Sequence, residues 1–128
     1  MKINILAPVI LLALATSSLA LTNKPEQCPS IDSIKTVTFD EEDVIHIVPG
    51  YYSTKLIVSK FNTKDSWSFY VGANAGSNSE AARKINSGLS VPVFDKGPYK
   101  NKFHHWSCEY YAAFNKNIRM HAYIEHLD

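Results

Sequence analysis

The chain has 128 residues, with 13 Lys+Arg against 12 Asp+Glu, a formal net charge of +1, and 45% hydrophobic residues. That length supports one domain with its own core. A charge balance near zero argues against nucleic acid as a partner, since such binding leans on a basic patch against phosphates.

Residues 1–20, "MKINILAPVILLALATSSLA", have the plan of a secretory signal peptide: Lys2, an apolar run from Ile5 to Leu14, and small residues at Ser18 and Ala20 before a cleavage point. About ten apolar residues fall short of a bilayer span, and no later run is long enough. The expectation is an exported chain, periplasmic or secreted, with no membrane anchor after cleavage and a single domain over residues 21–128. Cysteine usage agrees. Cys28 and Cys108 are the only two, and an even count behind a signal peptide reads as one disulfide. No C-x-x-C redox pair and no C-x-x-C-H haem-attachment motif is present.

In chain order, "CPSIDSIKTV" reads as a brief helix, with Pro29 in the first turn and Ile31 and Ile34 at helical spacing. "DEED", Asp40 to Asp43, reads as a solvated loop or helix start. "VIHIVPG", Val44 to Gly50, is an apolar β-branched run closed by Pro-Gly, the pattern of a buried strand. A second strand is expected from Tyr51 to Phe61, then a turn at Asn62–Asp65. A third strand follows in "SWSFYVGA", with Trp67, Phe69, Val71 and Ala73 on one face. "SNSEAARKINSG" is the clearest helix, with Ser77 and Glu80 at capping-box spacing and Asn86 to Gly88 as its stop. "LSVPVFDKGPYKN" carries two prolines and two turn signals and reads as an irregular connection.

The densest chemistry lies in "KFHHWSCEYYAAF", Lys102 to Phe114. Strict alternation places Trp106, Cys108, Tyr110, Ala112 and Phe114 toward the core, with His105, Ser107, Glu109 and Tyr111 opposite. A loop at Asn115–Asn117, with Asn117 left-handed, would lead into a second strand. There Ile118, Met120, Ala122 and Ile124 face the core, and Arg119, His121, Tyr123 and Glu125 face away. Pairing Phe114 with Ile118 would set Cys108 opposite Ile124, Glu109 opposite Tyr123 and Tyr111 opposite His121. The fold class expected is α+β: a single antiparallel sheet of about five strands, two helices on one face and one disulfide.

The candidate binding face is therefore His105, Glu109, Tyr111, Arg119, His121 and Tyr123, where tyrosines offer rigid contact area and arginine a charged anchor. No catalytic residue is assigned. His105, Ser107 and Glu109 have the composition of a hydrolytic triad. Neighbours on one strand face stand about 6.6 Å apart, twice the ~3.3 Å rise, which is too far for triad contact. A metal at His105 and His121 would need Glu109 as third ligand, and no metal site is assigned. Haem is the one cofactor considered, with Tyr51, Tyr52, Tyr111, His121 and Met120 as available axial groups and no spacing that selects among them.

"CPSIDSIK" after the leader, "WSFYVGA" followed by "SEAARKIN", and the late "CEYY" resemble a group of small exported bacterial proteins that includes a hemin-binding-protein-like member. The resemblance implies export and a role at a periplasmic or bacterium–host boundary, and it carries over no functional residue. The function expected is an exported, non-catalytic binding or interaction protein with a protein or small-molecule partner. The alternatives are a haem- or metal-binding protein and a small secreted hydrolase.

Overall fold

The structure, a computed structural model, describes residues 24–124. The signal-peptide reading, Glu125 and the chain's last residues lie outside that range. Seven strands form one antiparallel sheet. They are β1 (Val44–Val48), β2 (Tyr51–Thr54), β3 (Ile57–Ser59), β4 (Trp67–Asn74), β5 (Pro92–Lys100), β6 (Trp106–Ala112) and β7 (Asn115–Ile124). Their order across the sheet is β1-β2-β4-β7-β6-β5, with β3 pairing on β4 beside β2. Helices α1 (Ile31–Ile34) and α2 (Asn78–Leu89) pack on one face. The α+β class, the one-sided helices and the disulfide are as the sequence suggests. The sheet has two more strands than expected.

Both extra strands have local causes. The segment from Tyr51 to Phe61 is broken rather than continuous. At the break the Lys55 N–H turns to the Asp43 carbonyl at 2.9 Å, and Thr54 Oγ1 takes the Val71 N–H at 3.0 Å in place of a ladder carbonyl. The Pro- and Gly-rich segment after α2 is not an irregular connection. It is β5, and its two register shifts against β6, at Phe94/Lys96 and Lys96/Tyr99, absorb the residues that do not fit a regular ladder.

The inner face is the core. Trp67, Phe69, Val71 and Ala73 are fully buried, as are Cys108, Tyr110 and Ala112 of β6 and Met120 and Ala122 of β7. Fully burying an aliphatic or Phe side chain contributes about 1.5–3 kcal/mol. Helix α2 covers them with Ala81, Ala82, Ile85 and Leu89; Ser77 caps it by accepting the Glu80 N–H at 3.2 Å. Glu80 turns back to the Gly76 N–H and to Lys84, so only half of the expected capping box forms. Helix α1 is a single turn, capped by Ser30. It is held by the Cys28–Cys108 disulfide and by the Tyr110 hydroxyl, which donates to the Pro29 carbonyl at 2.5 Å.

Two expectations about burial are corrected. β1 is not a buried strand. It is the sheet's edge, and only Val44 is buried while Ile45 is 49% exposed and Ile47 52%. Phe114 does not face the core. It sits with Ala113 in the two-residue turn between β6 and β7 and is 59% exposed. Asn115–Asn117 belongs to β7, where Asn115 Oδ1 accepts the Asn117 N–H, and Asn117 is not left-handed. The earlier turn moves the register by two residues. Cys108 lies opposite Ala122, Glu109 opposite His121 and Tyr111 opposite Arg119. A shift of two preserves the face of every side chain.

Candidate binding face

No helix covers the outer face of the sheet among the described residues, and cross-strand pairing arranges it in rows. The central row runs Lys96, Glu109, His121, Tyr70 across β5, β6, β7 and β4. The row to one side runs Val93, Tyr111, Arg119, Gly72, Ser53, Ile45. On the other side stand Tyr99, Ser107, Tyr123 and Ser68. Five of the six sequence-predicted residues are members of these rows. His105 lies just before β6 and stacks on Tyr123, with ring centroids 5.2 Å apart.

Glu109 is the centre. It is only 9% exposed, on a face that no helix covers among the described residues. Its Oε2 accepts from the Tyr99 hydroxyl and lies 3.4 Å from Lys96 Nζ, and its Oε1 accepts from Arg119 Nη2 at 3.1 Å. Arg119 Nη2 also donates to Asp95 Oδ2 at 2.8 Å. The bulges of β5 are what make this possible. A regular strand would point alternate residues away, whereas the irregular one turns Asp95, Lys96 and Tyr99 all toward Glu109 and Arg119. Close packing holds β5 there. At Gly97, with φ +130°, a β-carbon would come within 2.6 Å of the Ser107 carbonyl and 3.1 Å of Cys28 Sγ. Only glycine fits so near the disulfide.

The electrostatics follow from this burial. Burial alone raises the Glu109 pKa, but the Tyr99 and Arg119 hydrogen bonds, with the charges of His121 and Lys96, outweigh it and hold the carboxyl below its ordinary range. Burial and the Glu109 carboxylate push the Tyr99 phenol up to about 12. Burial disfavours the imidazolium of His121, whose Nδ1 lies 3.9 Å from Glu109 Oε1, so its pKa is lowered despite that carboxylate.

Aromatic rings continue the site toward β4. Tyr70 stacks on His121 at 5.0 Å with planes 13° apart, and meets Tyr123 edge-on at 6.5 Å. His105, Tyr123, Tyr70 and His121 thus form a continuous run of rings. Arg119 and Lys116 lie over the face of Tyr111, at 5.8 and 5.6 Å from its centroid.

Several candidate roles are not assembled. Ser107 Oγ is engaged by the Asn101 side-chain amide at 2.7 Å, and no hydrogen bond joins His105, Ser107 and Glu109. No group of three His, Cys, Asp or Glu able to hold a metal occurs among the described residues. Of the groups considered for haem, Tyr52 and Met120 are buried in the core, which leaves Tyr51, Tyr111 and His121 on the outer face. His46, on the edge strand, stacks on Tyr52 at 4.9 Å.

Tyr70, Asp95, Lys96 and Tyr99 are the members of the site that sequence reasoning missed. Tyr70 had a signal, because it holds the outward phase between Phe69 and Val71. Lys96 and Tyr99 had none, because bulges break the alternation that would reveal them. No family model, no curated protein and no solved structure matches this chain. The Cys28–Cys108 disulfide is present, and no described helix is long and apolar enough to cross a membrane.

Proposed function

We propose that this is an exported, non-catalytic binding protein and that the outer face of β4, β5, β6 and β7 is its binding surface. The leader-like first twenty residues and the disulfide support export. One observation carries the binding reading: Glu109 is buried on the solvent side of the sheet beneath Tyr99, Lys96 and Arg119. A merely solvated sheet face keeps its charges in water. Here charged groups and rings are locked into fixed positions, the pre-organisation that a binding surface uses to lower its ordering cost. A Glu109 held below the ordinary carboxyl range by its donors is a poor proton acceptor near neutrality, which favours binding over acid–base catalysis.

The test is a thermal-shift and calorimetric screen of the mature protein against host-surface and periplasmic small molecules, proteins and haemin. It is repeated with Tyr111→Ala and with Tyr123→Ala. Ligand binding weakened at least tenfold by either substitution, with the fold intact, supports this surface; truncating a hot-spot aromatic typically costs ~2 kcal/mol or more. Binding that both variants retain in full places the site elsewhere.

A further inference from the structure

We infer that β1 is a docking edge for a second copy of this chain, pairing antiparallel with its own counterpart across a two-fold axis at His46. This contact lies apart from the outer face of β4 to β7 and does not depend on the role of that face.

The edges of the sheet differ. An edge strand presents unpaired N–H and C=O groups, and soluble proteins blunt such edges with charge, proline, bulges or brevity. β5, at one edge, carries Asp95, Lys96 and Lys100, two prolines and two register shifts. β3 offers an edge of only three residues. β1, at the far edge, has no charged residue and no proline, and Ile45, Ile47 and Val48 are each about half exposed. Its backbone also faces outward at its centre. The Asp43 carbonyl accepts the Lys55 N–H on the β2 side, so alternation turns Ile45 toward β2 and turns Val44 and His46 away from it. The Val44 carbonyl is taken by the Asn78 side-chain amide at 2.9 Å, and no strand lies beyond His46.

The strand's own sequence identifies the occupant. "VIHIV" reads the same in both directions. In a two-fold contact residue i meets j and j meets i. With His46 on the axis, Val44 meets the partner's Val48 and Ile45 meets the partner's Ile47, so each side chain finds its own kind. The outward N–H and C=O of His46 exchange two hydrogen bonds with the partner's His46, as the bonded pairs of an antiparallel ladder do. Charge selects the same orientation. Glu41, Glu42 and Asp43 stand together before β1. Antiparallel pairing sets the two acidic turns at opposite ends, whereas parallel pairing would bring them side by side. The one protection β1 has is the register shift between His46 and Val48, which keeps the ladder short. A standard interface engages about 20–30 residues on each partner, far more than one edge strand, so the dimer is weak and concentration-dependent. Its two-fold stands perpendicular to the sheet, and both outer faces look the same way.

The experiment is sedimentation equilibrium of the mature protein, disulfide intact, from micromolar to millimolar concentration. We expect a monomer–dimer equilibrium that stops at the dimer, because pairing consumes β1 and β5 is blunted. The double variant Ile45→Lys, Ile47→Lys sets like charges opposite each other twice and should weaken the dimer roughly tenfold or more. The double variant Ile45→Lys, Ile47→Glu sets opposite charges in the same two places and should dimerise more tightly than the like-charged one. All the substituted side chains are half exposed, and an unchanged melting temperature of dilute monomer shows that both variants fold. A wild-type monomer at every concentration overturns the inference and leaves the edge to a strand of another protein. Assembly that continues past the dimer overturns it, as does equal association of the two double variants.

Discussion

The two faces of β6 and β7 come from the same seventeen residues of strand read in alternate phase, and they are buried by different means. Cys108, Tyr110, Met120 and Ala122 are covered by α1, α2 and the disulfide; Met120 and Ala122 need only be apolar and the right size, while Cys108 is bonded to Cys28 and Tyr110 also donates to the Pro29 carbonyl. Glu109, one residue from Cys108, is nearly as buried, yet its cover is hydrogen-bonded side chains from β5 and β7. The inner face is buried by the hydrophobic effect, which is indifferent to direction. The outer face is buried by directed bonds, which fix where each donor and ring stands. Stability lives mainly on the first and recognition on the second.

The largest effect expected is on the inner face. Phe69→Ala should cost about 3–5 kcal/mol, read from the midpoint of urea unfolding. The double variant Cys28→Ser, Cys108→Ser should cost about 2–5 kcal/mol, because the bond joins positions 80 residues apart and restricts the unfolded chain. Peptide mapping without reductant should find the two cysteine peptides joined. Glu109→Gln sharpens the contrast. A solvated glutamate would tolerate the change within about 0.5 kcal/mol, whereas loss of a buried charged acceptor should cost about 1–3 kcal/mol. A change near zero would erase the distinction between this face and an ordinary sheet surface. Tyr123→Ala should cost only about 0.5–1.5 kcal/mol, the scale of an aromatic pair.

The smallest effect separates the faces by pH. His121 has a lowered native pKa, so the unfolded chain binds the proton first. Stability attributable to it is complete above the ordinary histidine value of about 6.5 and declines as pH falls from there toward the native value. Glu109, also lowered, contributes above the ordinary carboxyl range and loses that contribution as pH falls through its native value. Melting temperature should therefore fall in two steps on acidification. His121→Gln should remove the upper step and leave the lower one.

Alternation made β4, β6 and β7 readable, because each has one apolar face and one polar face. It placed all six candidate residues on the outer side even though the β6–β7 register was displaced by two. Turn length set that displacement: Ala113-Phe114 carries no strong turn signal, while Asn115-Lys116-Asn117 does. β1 misled for another reason. "VIHIV" has the composition of a central strand, but composition does not say where a strand stands in the sheet order. β5 was unreadable since its bulges at Asp95 and Gly97-Pro98 abolish the period that marks a strand. The same bulges carry half of the site, so the functional part was hidden by the feature that makes it functional.

The reach of the disulfide has a consequence for how the protein meets proteases. The turn at Phe61–Asp65 and the loop at Lys102–His105 both lie between Cys28 and Cys108, so a cut at either leaves the pieces covalently joined. The tight turn at Ala113-Phe114 lies outside that span and exposes an aromatic side chain. A single cleavage there would leave β7, and with it Arg119 and His121, held only by its pairing with β4 and β6, while β1 to β6 stay covalently joined. Damage elsewhere is contained, and the strand that holds the centre of the outer face is the one the cross-link does not guard.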